Sequence, residues 1–230
     1  MNKKPRAIGS LLVCACLFWA CTGRPPQIFD LVWRIDLLED HDQGLIYERL
    51  SLFVQVYDAD GFDELQYLYL IHDEQELFWE LQAESWLAGD DSEQRWIGSN
   101  ALCMPDFSSL PRGIYRVLIQ DLGGDAAESE FAVATAPTRP AEVQFPRVSA
   151  QDGKIQLAAP FQQFSIWVYD TKISYRASYD SQAGMVDAEV IRTKHRDLLR
   201  GFHYFTHVDQ EAKGYGLISG PYYYEGRRGR

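Results

Sequence analysis

The sequence predicts an all-β protein made of two tandem antiparallel β-sandwiches. Three observations carry this. Apolar residues recur with a period of two, as in a strand with one buried face. Short β-rich runs are punctuated by Gly, Pro and Asp turns. No stretch sustains the 3.6-residue period of a long amphipathic helix.

From Ile46 onward Leu50, Leu52, Val54 and Val56 alternate with Ser51, Phe53, Gln55 and Tyr57. Asp58-Ala59-Asp60-Gly61 reads as a turn, after which Leu65 to Ile71 resumes as an aromatic and aliphatic strand, and Leu77, Trp79 and Leu81 suggest a third. Gly113 to Asp121, Gly123-Gly124, then Phe131 and Val133 read as a hairpin about a glycine turn. Ala134 to Pro140, with Pro137 and Pro140, reads as a linker. The expected domains are therefore 27–136 and 141–225, followed by a basic tail, 226–230. In the second half Phe164 to Asp170 looks like a central strand, and Ile218-Ser219-Gly220-Pro221-Tyr222 resembles the last strand of bacterial fibronectin type III modules. Met185 to Leu199 fits two patterns: Val186, Ala188 and Val190 alternate, while Val186 with Val190 and Ile191 with His195 have helical spacing. A strand is expected here, because a sandwich needs an element leading into Leu198.

The N-terminal stretch carries an address. Lys3, Lys4 and Arg6 precede an apolar run from Ala7 to Trp19 that is too short to span a bilayer, and Ala20 precedes Cys21. Leu17-Phe18-Trp19-Ala20-Cys21 resembles the lipobox of bacterial lipoproteins, in the loose form found in spirochaetes. The resemblance implies removal of a signal peptide, 1–20, and diacylglycerol, with palmitate, on Cys21. Gly23-Arg24-Pro25-Pro26 then completes a short extended tether, 21–26. With Cys21 acylated, Cys103 is the one remaining thiol of the mature chain, and no intramolecular disulfide can form.

Two further resemblances concern the modules. Val54 through Asp63, followed by the Gly-x-Tyr-Arg-Val hairpin, is similar to the immunoglobulin-like domains of bacterial envelope proteins. Leu198, Gly201 and Tyr204 resemble the Leu-x-Pro-Gly-x-x-Tyr pattern of fibronectin type III domains, with Arg200 in place of the proline. This implies a tyrosine corner at Tyr204.

Composition excludes one class. Three of the 22 basic residues lie in 1–20, which leaves 19 against 33 acidic residues, a formal charge of -14. Nucleic-acid binding needs basic clusters to neutralise phosphate, so it is not expected. The charge is uneven: 21–140 holds 7 basic and 23 acidic residues, and no Lys or Arg lies between Arg49 and Arg95.

Motifs of nucleophilic catalysis, phosphate cradling and zinc binding are missing from the mature sequence, so no cofactor and no enzymatic activity are expected. Asp58, Asp60 and Asp63 are the best metal candidates, because Ca²⁺ wants several carboxylate oxygens from one tight loop. The EF-hand spacing fails, since aligning Asp60-Gly61 to its fifth and sixth positions puts Val56 first and Tyr67 twelfth; the other reading is a plain turn. Trp79, Trp86 and Trp96 flank an acidic segment and are candidates for a sugar-stacking platform or for core plugs. His203 and His207 would lie about 13 Å apart along one strand face, too far for one ion. Cys103 reads as a small hydrophobe, and Arg227, Arg228 and Arg230 as a solvated end or a contact for an acidic partner.

Together these readings lead to the expectation of a non-catalytic, membrane-anchored protein of the bacterial cell envelope, periplasmic or surface-exposed. It would be held by its N-terminal lipid and would act as an interaction or scaffold module for another envelope protein. The competing expectation is a ligand-binding module, for carbohydrate or Ca²⁺, in the acidic, Trp-rich part of the first domain.

Overall fold

The computed structural model describes residues 23–91, 94–158, 160–181 and 184–226. The expected signal peptide, Cys21 and the terminal Arg227, Arg228 and Arg230 lie outside the described residues.

The fold is all-β. Among the described residues the strands are β1 (Gln27–Asp40), β2 (Leu45–Tyr57), β3 (Leu65–His72), β4 (Leu77–Gln82), β5 (Leu87–Asp91), β6 (Gln94–Leu102), β7 (Gly113–Asp121) and β8 (Ala126–Val133). The later ones are β9 (Val148–Gln151), β10 (Lys154–Leu157), β11 (Phe164–Tyr169), β12 (Tyr175–Ser181), β13 (Met185–Asp187), β14 (Gly201–Gln210) and β15 (Tyr215–Glu225). They form three sheets, in the orders β4-β3-β7-β8, β13-β10-β9 and β12-β11-β14-β15-β1-β2-β6-β5.

The chain divides into two compact units whose borders differ from the expected 27–136 and 141–225. One takes the described residues up to Val32 with Phe53–Ser99 and Gly113–Ala132; the other takes Trp33–Leu52, Asn100–Arg112 and everything from Val133 onward. The physical reason lies in β1. Its residues Asp36 to Asp40 pair in parallel with Gly216 to Gly220 of β15, so this half of the first strand belongs with the last.

In the first unit the period of two places Val54, Val56, Leu65, Leu68, Leu70, Ile97, Val117 and Ile119 inside, all nearly inaccessible. Tyr115, fully buried, stacks on Phe131 with ring centroids 5.4 Å apart.

In the second unit one apolar cluster joins both of its sheets. Ile155 and Leu157 of β10 and Val186 of β13 meet Ile166 and Val168 of β11, Phe202, Tyr204 and Val208 of β14, and Leu217 of β15. Tyr204 stacks on Tyr222, and burial raises its hydroxyl pKa well above the ordinary value. Glu48, almost inaccessible, anchors the loop after β6: its carboxylate takes both Nη atoms of Arg112 at 2.7 and 2.8 Å and accepts the Leu110 N–H at 2.9 Å.

Met185 to Leu199 departs from the expected strand. β13 stops at Asp187, whose Oδ1 accepts the N–H groups of Glu189 and Val190 and so caps helix α1 (Ala188–Lys194). A 3-10 turn, Arg196–Leu198, follows. Ala188 and Ile191 face the core while Val190 is exposed, so the helical spacing wins over the alternation.

Candidate functional site

The acidic turn is built around its own backbone. Asp58 is buried, and its Oδ1 accepts the Asp60 N–H at 2.9 Å. Asp60 is exposed and accepts the Arg24 N–H at 2.6 Å, while Asp63 lies exposed in a 3-10 turn, Phe62–Glu64. Gly61, at φ 123°, supplies a conformation that other residues rarely adopt. Among the described residues no group of three or more His, Cys, Asp or Glu side chains is placed to hold a metal ion.

The three tryptophans serve different places. Trp79 lies 6.3 Å from the core ring of Tyr115. Trp86 meets Phe62 edge-on at 6.4 Å, and the Arg95 guanidinium sits 4.5 Å from the same Phe62 ring. Trp96 projects from β6 on the side opposite to buried Ile97. Cys103 is half-buried, and burial pushes its thiol pKa up. On β14, His203 lies against Tyr223 and His207 stacks on Trp167.

Two polar constellations of the second unit were not legible in the sequence. In the first, the Glu39 carboxylate accepts both Nη atoms of Arg147 and, at 2.6 Å, the Ser219 hydroxyl, while Ser219 Oγ lies 3.1 Å from His41 Nε2. Burial alone would raise the Glu39 pKa, but the hydrogen bonds from Arg147, Ser219 and His41 outweigh it and hold the carboxyl below its usual range. Serine, histidine and carboxylate do not form a proton relay here. Glu39 meets the same Nε2 atom that faces Ser219, at 3.3 Å, whereas a relay needs the carboxylate on Nδ1. Ser219 is also wholly buried. In the second, fully buried Asp36 lies 2.8 Å from Arg34 Nε and 3.6 Å from His207 Nε2. The first ties β1 to its neighbour β15, and the second reaches from β1 past β15 to β14.

The feature that opens outward lies on the first unit. In β3, Tyr67, Tyr69 and Ile71 point away from the side that buries Leu68 and Leu70. Register places Ile71 between Phe78 of β4 and Arg116 of β7, and Tyr69 between Glu80 and Leu118. The result is a groove of about 540 Å³ floored by Tyr69, Ile71, Phe78 and Leu118, with Asp73, Glu76 and the first residue of β4, Leu77, at its margin. Phe78 is 67% exposed. Tyr67 and Tyr69 stack at 5.6 Å; burial, then the negative charge of Glu80, raises the Tyr69 phenol. Arg116 is held by Asp73 at 3.0 Å and Glu128 at 3.2 Å, and its hydrogen bond lowers the Asp73 pKa. The sequence signal was present: a strand with one solvated face should be polar there, and β3 is apolar on both.

No protein-family model matches the chain, and no curated protein does. Among solved structures it is similar to the crystal structure of dimeric latent PorU from Porphyromonas gingivalis, at 13% identity and a TM-score of 0.33. The match covers 86% of this chain and 20% of that one, so the chain spans about a fifth of its length.

Proposed function

We propose that the protein is a non-catalytic lipoprotein of the bacterial envelope, anchored through a lipid on Cys21, that works as an interaction module. The observation that carries this reading is the groove on β3, β4 and β7: an exposed aromatic and aliphatic strip, set among carboxylates, is the composition of a protein-binding surface. Strand order supports the two expected module types. The runs β1-β2-β6-β5 and β4-β3-β7-β8 follow the A-B-E-D and C′-C-F-G scheme of immunoglobulin domains. The runs β13-β10-β9 and β12-β11-β14-β15 follow the E-B-A and C′-C-F-G scheme of fibronectin type III domains.

Photo-crosslinking in intact cells tests the reading. A benzoylphenylalanine at position 78 should yield one discrete adduct with an envelope protein, whereas the same probe at Tyr223 should not. Equal, diffuse labelling from both positions would refute the interaction surface. Palmitate labelling that persists in Cys21→Ala would refute the anchor.

A further inference from the structure

We propose that β4 is a docking edge that takes up an extended segment of another protein as an added strand, and that this segment is apolar on one face and basic on the other. The proposal rests on the interaction-module reading and names the chemistry of the partner.

The free edge can be read from one hydrogen bond. Strand β4 ends its sheet and pairs with β3 alone. Just beyond it the Ala83 N–H donates to the Gln66 carbonyl at 3.2 Å, which makes that position a hydrogen-bonded pair. Such pairs alternate along an antiparallel ladder. Leu81 with Leu68, Trp79 with Leu70 and Leu77 with His72 therefore carry the bonds to β3, while Phe78 and Glu80 turn their N–H and C=O groups outward. Gln82 also faces outward, but its groups are used: its N–H donates to Ser85 Oγ, and its carbonyl accepts the N–H groups of Ser85 and Trp86. Among the described residues the main-chain groups of Phe78 and Glu80 have no partner. Four main-chain groups thus wait on a short edge beside the groove.

The side chains state what the added strand must carry. On the inner face Leu77, Trp79 and Leu81 are half-buried at the rim of the sandwich, and apolar partner side chains would complete their burial. On the outer face stand Phe78 and Glu80, with Asp73 and Glu76 beside them. Residues 50–94 contain twelve acidic and no basic residues, and Arg116, the nearest cation on the sheet, is engaged by Asp73 and Glu128. Lys or Arg on the outer face of the partner satisfies these carboxylates. A second copy of this chain would bring acid against acid. Edge strands are ordinarily guarded by Lys, Pro or a bulge; the edge of β4 has Glu80 alone, which repels anions and admits cations.

The probe is an acetylated, amidated, fluorescently labelled nonapeptide of alternating Val and Lys, titrated by anisotropy into the whole mature chain. Saturable binding is expected, weakened at least tenfold by N-methylation of alternate peptide residues, which removes the donors to the edge. Glu80→Pro deletes an outward N–H and spares the ladder to β3, so it should lose binding at least tenfold at an unchanged melting temperature. Glu80→Lys should reverse the preference toward a Val/Glu peptide. Equal binding of the methylated peptide, absence of binding, or sedimentation showing that the chain pairs with itself through this edge would each overturn the proposal. The methylated peptide decides the matter even if Glu80→Pro fails to fold. A position-78 adduct in cells without peptide binding would leave the interaction-module reading standing and remove the strand-addition one.

Discussion

Asp36 and Gly216 face each other across the parallel junction of β1 and β15, and the buried carboxylate lies where a side chain on residue 216 would begin. A Cβ there would collide with Asp36 Oδ1 and with His207 Nε2. Neither group can step aside, because Asp36 is held by Arg34 and the His207 ring is stacked on Trp167.

Gly216→Ala should therefore destabilise the fold by about 1–3 kcal/mol, the usual cost of forced overpacking. For a chain of this size that lowers the melting temperature by roughly 2–12 °C. Gly89→Ala, with nothing within 4 Å of its Cβ position, is the control and should stay near wild type. Equal stability of the two variants would show that the junction is looser than described.

Asp187→Ala should cost about 1 kcal/mol through loss of the N-cap of α1. Val190→Ser, on the exposed side of that helix, should be nearly neutral. Were 185–199 a continuous strand, the order of the two effects would invert. Urea denaturation of both variants separates the cases.

Glu39 predicts the acid response. Its folded pKa is held below the ordinary carboxylate range, so its hydrogen bonds contribute stability above the unfolded pKa, and the contribution is lost as pH falls through the folded pKa. The gap in melting temperature between wild type and Glu39→Gln should be widest above pH 5 and should close on acidification. A gap that widens below pH 4 would contradict the assignment.

Breaking the buried Glu48–Arg112 pair should be costly. Glu48→Ala leaves Arg112, the Leu110 N–H and the Thr138 N–H without their shared acceptor, and removal of one partner of a buried pair typically costs about 3–5 kcal/mol. Guanidinium unfolding measures it. A loss under about 1 kcal/mol would mean that water replaces the carboxylate.

Millimolar Ca²⁺ should leave the melting temperature unchanged, because among the described residues Asp58, Asp60 and Asp63 do not form a group of three placed to hold a metal ion. A rise that Asp60→Ala abolishes would restore the metal reading of this loop.

The all-β character was legible because alternation is local: Val54 and Val56 read as inward in the sequence and are inward in the fold. The helix α1 hid behind the same rule. Val186, Ala188 and Val190 alternate, and the decisive residue was the capping Asp187. The outward aromatics of β3 were visible as letters, but their face was assigned only by pairing with Phe78 and Leu118. The tryptophans had two readings in the sequence, a platform or core plugs; their ring partners, Tyr115 for Trp79 and Phe62 for Trp86, come from distant positions that no local pattern names. The β1–β15 junction had no local signature at all. Its trace is the run Ile35 to Leu38, buried at four successive positions, which is the mark of a strand covered on both faces.

That junction also sets an order of events. Asp40 and Gly220 are partners, and a chain made from its N-terminus exposes the first long before the second exists. β1 must therefore wait with one edge unsatisfied while β2 to β14 are laid down, until β15 arrives to pair with it. Closing so long a loop costs chain entropy that only the β1–β15 pairing offsets: truncation within β15 should leave the first strand as an open, aggregation-prone edge rather than merely shorten the protein.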